Sequence, residues 1–160
     1  MSTSYVEKFT PTYLGAADLP WTPFLPYTDQ VHLKTLHVNY VSGATQLMLK
    51  APGGANLGVH DHYGPLVVYT VQGSWRYLEH DWVSKPGDFV YEVANSKHTF
   101  QAEPGEDVIL FISIEGAIAF LDEKGDIAGI ETAHTFAKRY EDYCAENDLE
   151  VVDLSQFSRH

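Results

Sequence analysis

Between Val31 and Glu131 the chain is interrupted at short intervals by residues that cannot continue a regular element: Ser42-Gly43, Pro52-Gly53-Gly54, Gln72-Gly73, Pro86-Gly87, Pro104-Gly105 and Glu123-Lys124-Gly125. Glycine opens backbone conformations that other residues avoid, and proline removes an amide donor, so each interruption reads as a turn. The pieces between them are short and carry many β-branched and aromatic residues, the signature of strands. A chain cut this way about every eight to twelve residues closes its core as a sandwich or barrel. The expected strands begin with a hairpin, Val31–Tyr40 and Ala44–Lys50. A strand through His60 and His62 follows, then Leu66–Val71, Trp75–Trp82 and Phe89–Val93. A turn at Asn95-Ser96-Lys97 leads into His98-Thr99-Phe100. The run VILFISI, Val108–Ile114, is apolar enough for a strand buried on both faces. Ala117–Leu121 and Asp126–Ile130 form a last hairpin.

The flanks differ from this middle. Residues 1–30 hold Pro11, Pro20, Pro23 and Pro26, and the cluster LPWTPFLP can be neither helix nor central strand. They read as an irregular arm that lays Trp21, Phe24 and Leu25 on the core, or alternatively as a lid over a ligand. After Thr132, a natural N-cap, Ala133, Phe136, Ala137, Tyr140, Tyr143 and Cys144 recur at helical spacing. Lys138, Arg139, Glu141 and Asp142 take the other face. One amphipathic helix therefore packs outside the barrel or between subunits. The organisation is one domain: an arm at 1–30, a β-barrel at 31–131, and a helix with its tail at 132–160.

The formal net charge of -12 speaks against a nucleic-acid or anionic-membrane partner, because phosphates demand clustered Lys and Arg. No apolar run approaches the roughly 18 residues that cross a bilayer, and the first residues lack a secretory pattern. The single cysteine, Cys144, cannot close an internal disulfide and sits on the helix's apolar stripe, as core rather than nucleophile. A cytoplasmic location is the expectation.

Chemistry concentrates on histidine. His60 and His62 stand two apart in GVHDHYGPLVVYTVQG, so a strand points both to one face. Paired imidazoles make half of a metal site. Such a pair also occurs at surfaces and in satisfied polar cores, and the neighbouring turns and the third histidine, His98, tip the balance. His32 and His37 fall five apart on opposite faces, at least one of them exposed. His134 and His160 lie outside any motif. Glu79 and His80 point to opposite faces of their strand, so only one could approach a metal. Val68, Leu110, Ile112 and Ile114 line an apolar pocket or the plain barrel core, which are nearly one claim. Tyr69, Trp75, Tyr77 and Tyr91 belong to core or interface, with one or two free to stack on an aryl ligand.

These residues resemble the cupin superfamily, whose fold is an all-β jelly-roll barrel (the double-stranded β-helix). Its first motif is G(X)5HXH(X)3-4E(X)6G and its second PG(X)5PXGXXH(X)3N. Gly58, His60, His62 and Gly73 fit the first, with Gly58 closer to the histidines than usual. Pro86, Gly87 and His98 fit the second. Leu66 stands where the glutamate belongs, Val93 and Asn95 replace the second proline and glycine, and Gln101 or Ala102 falls at the asparagine. Across residues 20–140 the chain looks like three-histidine cupin dioxygenases that cleave carbon–carbon bonds beside carbonyls. HDHYGP is similar to the acetylacetone-cleaving type, and WRYLEHDW, YEVANSKHT and FLDEKG to the 2,4'-dihydroxyacetophenone-cleaving type.

The resemblance implies that His60, His62 and His98 bind iron(II), with zinc, nickel or another divalent ion as alternatives. Its substrates would be a small diketone or hydroxyacetophenone-like molecule and O2. It places Glu92 beside the ligands, to orient a histidine or to act as base, and leaves open whether Glu79 or Glu92 touches the metal. Arg76 would pair with Glu92 or a substrate oxygen, unless it is a solvated strand residue. Homodimers or homotetramers are usual in such cupins, and the arm and helix would suit an interface. Two other classes remain: a non-catalytic zinc-binding cupin sensor or binding module, such as those of some anti-sigma factors, and an isomerase or hydrolase using another divalent metal.

Overall fold

The computed structural model describes residues 13–155, and over that span the turn positions become the corners of two antiparallel sheets. In chain order the strands are β1 (Thr22–Pro23), β2 (His32–Val38), β3 (Thr45–Ala51), β4 (Asn56–His62), β5 (Leu66–Gln72) and β6 (Trp75–Tyr77). They continue with β7 (Phe89–Glu92), β8 (Ser96–Ala102), β9 (Val108–Ile114), β10 (Ile118–Leu121) and β11 (Ile127–Glu131), and close with helix α1 (Ala133–Glu146). One sheet has the order β1-β2-β3-β9-β5-β7 and the other β11-β10-β4-β8-β6. Their inner faces enclose the main core, as expected of a jelly roll. Gly73 shows why one corner is glycine: φ is 73°, and a Cβ there would lie 2.6 Å from the Asp107 carbonyl oxygen.

Both predicted hairpins form, as β2–β3 and β10–β11. The predicted strand Trp75–Trp82 is shorter. It ends at Tyr77, because the chain turns back through the His80 amide bonded to the Tyr77 carbonyl, and Trp82 then packs edge-on against Trp75 and Tyr77. The turn expected at Asn95-Ser96-Lys97 is confined to its first residue. Asn95 adopts φ 63°, which asparagine tolerates in place of the motif's glycine, and β8 starts at Ser96. A register shift between Thr35 and His37 overturns the opposite-face expectation for His32 and His37. His32 pairs with Lys50 and His37 with Gln46, four apart on regular β3, so both histidines face outward, and both are half-buried. Val108–Ile114 is buried on its inner face alone, with Ile109, Phe111 and Ser113 half-exposed outside.

The arm reaches the core unevenly. Phe24 is buried against Tyr27, Phe120 and Phe136, whereas Leu25, expected inside, is exposed. Trp21 lies over the outer face, its ring 5.0 Å from Lys34 Nζ and 5.1 Å from Lys50 Nζ. Thr132 caps α1 as predicted: its hydroxyl accepts from the Thr135 amide, and the Thr135 hydroxyl accepts from the Thr132 amide at 2.8 Å. The helix buries Ala133, Ala137, Tyr140 and Cys144 with Leu19, Val38 and Leu154 in a second, smaller core. Arg139 joins the parts, bonding buried Glu131 at 3.0 Å and the Leu25 carbonyl at 3.2 Å. His134 is exposed beside the Tyr40 ring, and His160 lies outside the described residues. No helix among the described residues is long and apolar enough to cross a membrane.

Candidate metal centre

The site begins with an irregularity in β4. Leu57 pairs with Phe100 and His60 with His98, so three steps on β4 oppose two on β8. This bulge at Gly58-Val59 rephases the strand. Leu57, His60 and His62 consequently all turn inward, although Leu57 and His60 stand an odd number of residues apart. The bulge also orients a candidate donor: His60 Nδ1 lies 2.7 Å from the Gly58 carbonyl oxygen, to which it donates, leaving Nε2 as the free lone pair.

His98 enters from β8 directly opposite His60, with ring centroids 4.6 Å apart, and His62 is 5.0 Å from each of the other two rings. One nitrogen from each imidazole lies within 4.8 Å of the others. All three rings are buried. Burial, followed by the neighbouring histidines, pulls the His60 imidazolium down to about 4, and the same causes pull His62 to about 2. Both are therefore neutral at physiological pH, the form a metal requires. His98 Nε2 and His62 Nδ1 are buried without a hydrogen-bond partner, which an ion among the three nitrogens would relieve. A set of three imidazole donors fits iron, zinc, nickel or copper.

Glu92 reaches His98 from the opposite sheet. Its Oε2 is 2.9 Å from His98 Nδ1 and accepts from the Ser96 hydroxyl at 2.7 Å. Burial would raise this carboxyl, but the bonds from His98, Tyr77 and Ser96 outweigh it and hold it below its ordinary value. It is thus a carboxylate accepting the His98 Nδ1 proton and leaving Nε2 to the cluster. Tyr77, fully buried on β6, stacks on His98 at 3.7 Å between centroids and faces Glu92; burial and that carboxylate push its hydroxyl well above the ordinary tyrosine value. No local sequence signal marks Tyr77 or Ser96 as partners of His98, because their roles depend on strand register.

Two candidates stand apart from the centre. Arg76 alternates with buried Trp75 and Tyr77, so it points outward, and it pairs with Glu103 at 3.0 Å rather than with Glu92. Glu79 is exposed beyond β6, and both of its oxygens are taken by Thr99, at 2.9 Å from the amide and 2.8 Å from the hydroxyl. His80, exposed beside Trp82, likewise stands apart.

His60 and His62 open on a cavity of about 50 Å³. Val68, Leu110, Ile112 and Ile114 line it, together with Leu66, Phe24 from the arm and Phe136 from α1. Glu92 does not reach its wall. Trp75 and Tyr77 are core, and Tyr77 also touches the cavity, while Tyr69 and Tyr91 project outward and are exposed.

Comparison with known proteins agrees with this architecture. An RmlC-like cupin protein of Ralstonia eutropha JMP134 is 41% identical, with 96% of this chain and 99% of that one aligned at a TM-score of 0.90. The acetylacetone dioxygenase of Acinetobacter johnsonii shares the fold at 16% identity, over 83% of this chain and 93% of its own, with a TM-score of 0.75. The anti-sigma ChrR of Rhodobacter sphaeroides, solved with SigE, aligns at 24% identity and a TM-score of 0.53, over 62% of this chain and 50% of that one. No curated protein matches significantly. The model of the ChrR cupin-like domain matches residues 10–117, two-thirds of the sequence. With its paired strands, inward histidines and that match, the chain belongs to the cupin superfamily, in the ChrR cupin-like family.

Proposed function

We propose that the protein is an iron(II)-dependent dioxygenase that cleaves a carbon–carbon bond beside a carbonyl in a small diketone or hydroxyacetophenone-like substrate. The observation that carries this reading is the donor set: three buried imidazoles, without a carboxylate among them, two of which, His60 and His62, open on an apolar cavity. Iron(II) held by His60, His62 and His98 would keep its double charge, favour an anionic bidentate enolate and supply electrons to O2. Leu66, in the motif's glutamate position, leaves that charge for the substrate to neutralise. Val68, Leu110, Ile112 and Ile114 keep water from the reacting atoms. Glu92 lies off the cavity wall, which favours orienting His98 over proton abstraction. The cavity's 50 Å³ is about a third of the roughly 150 Å³ that admits benzene elsewhere, so a diketone fits with less side-chain movement than an aryl ketone.

A second reading, a zinc-holding module without turnover, draws on the family's ChrR description, and three imidazoles suit zinc equally. Oxygen uptake separates the two. Iron(II)-loaded protein is given acetylacetone or 2,4'-dihydroxyacetophenone, with metal content measured alongside. Substrate-dependent uptake, faster with the diketone, is expected; none from either, with iron bound, would sink the activity as proposed. Glu92→Gln should retain metal and slow turnover about ten- to a hundredfold. Unchanged kinetics would remove Glu92 from the mechanism.

A further inference from the structure

The three tryptophans of the chain are unevenly placed. Trp21 lies on the outer face of the six-stranded sheet, whereas Trp75 and Trp82 gather behind the metal centre, on the side of His98. From His98 outward the rings run without a gap. Tyr77 stacks on His98 at 3.7 Å between centroids and 16° between planes. Trp82 meets Tyr77 edge-on at 5.5 Å, and Trp75 joins both, at 4.9 Å from Tyr77 and 5.5 Å from Trp82. Such separations are those of aromatic rings in direct contact. Burial falls along the row: His98 is 2% exposed, Tyr77 5% and Trp82 37%, with exposed His80 stacked on Trp82 at 5.6 Å. The row thus joins a candidate donor of the metal to solvent.

Its composition is selective. Phenol and indole give up an electron more readily than the other side chains without sulfur. Electron tunnelling fades steeply with distance, so rings in contact pass charge fastest. On the other side of the cluster His60 packs on Phe120 at 5.1 Å, and a phenyl ring is far harder to oxidise. Sulfur, the common sacrificial donor, is placed elsewhere: Cys144 is sealed in the second core, and Met48 stands opposite Lys34 on the outside of β3.

We propose that Tyr77 and Trp82, with Trp75 beside them, form an electron relay that discharges a peroxide- or O2-derived oxidant arising at the centre when no substrate consumes it. The relay rests on the function proposed above in one respect, a redox-active ion held by the three histidines. Its balance closes with a soluble thiol as reductant. Hydrogen peroxide takes two electrons and two protons and leaves as two molecules of water. Each electron is returned by one pass along the row. Tyr77 yields an electron toward His98 while its hydroxyl proton shifts to the facing Glu92 carboxylate, and it regains both as Trp82 is oxidised. Trp82 releases its indole proton to solvent and recovers electron and proton from a thiol. After two passes the two thiyl sulfurs couple, so one peroxide and two thiols become two waters and one disulfide. The imidazoles are spared the oxidation that would otherwise fall on them.

The test gives hydrogen peroxide to iron(II)-loaded protein without any ketone, in the presence or absence of glutathione, and compares wild type with Trp82→Phe. Trp82 lines no part of the cavity, and phenylalanine keeps a ring at the edge of Tyr77. Disulfide formed, oxidised residues by peptide mass spectrometry and metal retained are the readouts, with zinc-loaded wild type as control. Iron-loaded wild type should turn thiol into disulfide and keep its three histidines intact; without thiol, oxidation should concentrate on Trp82. Trp82→Phe should form disulfide severalfold more slowly, carry oxidised His60, His62 or His98 and lose metal faster. A folded variant that matches wild type overturns the relay. So does oxidation of Trp82 that is equal with zinc, which would mark attack from solution, or damage at the histidines with Trp82 intact, or no iron-dependent oxidation at all. Should the variant fail to fold, the iron-against-zinc map of the wild type decides. Failure to take up iron, measured before peroxide is added, overturns this proposal and the proposed function together. With iron bound, a missing oxygen uptake with ketones counts against that function alone, and a missing Trp82 dependence against the relay alone.

Discussion

Three imidazoles project from the inner face of the five-stranded sheet, while the inner face of the six-stranded sheet is aliphatic apart from a few threonines and Glu92. The difference is a division of labour, and the aliphatic wall is not passive in it. Leu66, Val68, Leu110 and Ile114 dehydrate the imidazoles across the cavity, and dehydration is the chief reason that His60 and His62 stay neutral. One sheet supplies the donor atoms and the other sets the form in which they are donated. Glu92 is the exception that crosses over, presenting charge from the aliphatic sheet to the back of one ligand.

The largest effect should follow from removing a donor. His98→Ala deletes one nitrogen of three and leaves Glu92 buried beside a hole. Metal content by mass spectrometry should fall to background, and oxygen uptake with it. A His98→Ala protein with full occupancy would mean that the ion is held elsewhere and that the two sheets do not divide in this way.

A change in the opposite wall should act on the fold and spare the donors. Leu110→Ala empties a buried position and should cost about 2–5 kcal/mol of stability, read from a denaturation midpoint. Metal content should be unchanged, and the wider cavity should raise the rate ratio of aryl ketone to diketone. Loss of metal here would erase the distinction between the walls.

How far this division shows in the sequence depends on whether a local pattern encodes it. The strands, the inward pair His60 and His62 and the Thr132 cap all follow from period and turn chemistry within a few residues. The bulges do not: neither Gly58-Val59 nor Leu36 carries a signal that says where the ladder gains a residue, so simple alternation puts His32 and His37 on opposite faces where the shifted ladder puts them on one. The return of Trp82 onto Trp75 is a tertiary contact overriding a sequence that reads as one long strand. Glu92, Ser96 and Tyr77 meet at His98 from three different strands, and only register and the packing of one sheet over the other bring them there.

The dehydrating wall also fixes a pH dependence. In the folded chain His60 is pulled from 6.5 to about 4 and His62 to about 2, so the unfolded chain takes up their protons first as pH falls. The stability these groups permit is complete above pH 6.5 and declines below it, by up to about 1.4 kcal/mol per pH unit for each histidine. Urea midpoints of metal-free protein between pH 8 and 5 measure this above the range in which the carboxylates titrate. A flat profile would show imidazoles in contact with water, and the aliphatic wall would lose its electrostatic role.

The smallest effect belongs to Arg76, whose charge and position on β6 had made it a candidate for the site. Alternation with Trp75 and Tyr77 turns it to the outside of the histidine-bearing sheet, where its partner Glu103 is also accessible to solvent. Pairs of this kind contribute between nothing and about 1 kcal/mol. Arg76→Ala should therefore leave metal content and oxygen uptake unchanged and shift a thermal midpoint by a few degrees at most. Its use is as a control for sidedness. Tyr77, the next residue, stacks on His98, and Tyr77→Ala in the same assay should disturb the centre, so two adjacent positions on one short strand separate the working face of this sheet from its solvent face. A marked loss of uptake in Arg76→Ala, with fold and metal intact, would show that the outer face contributes to the chemistry after all.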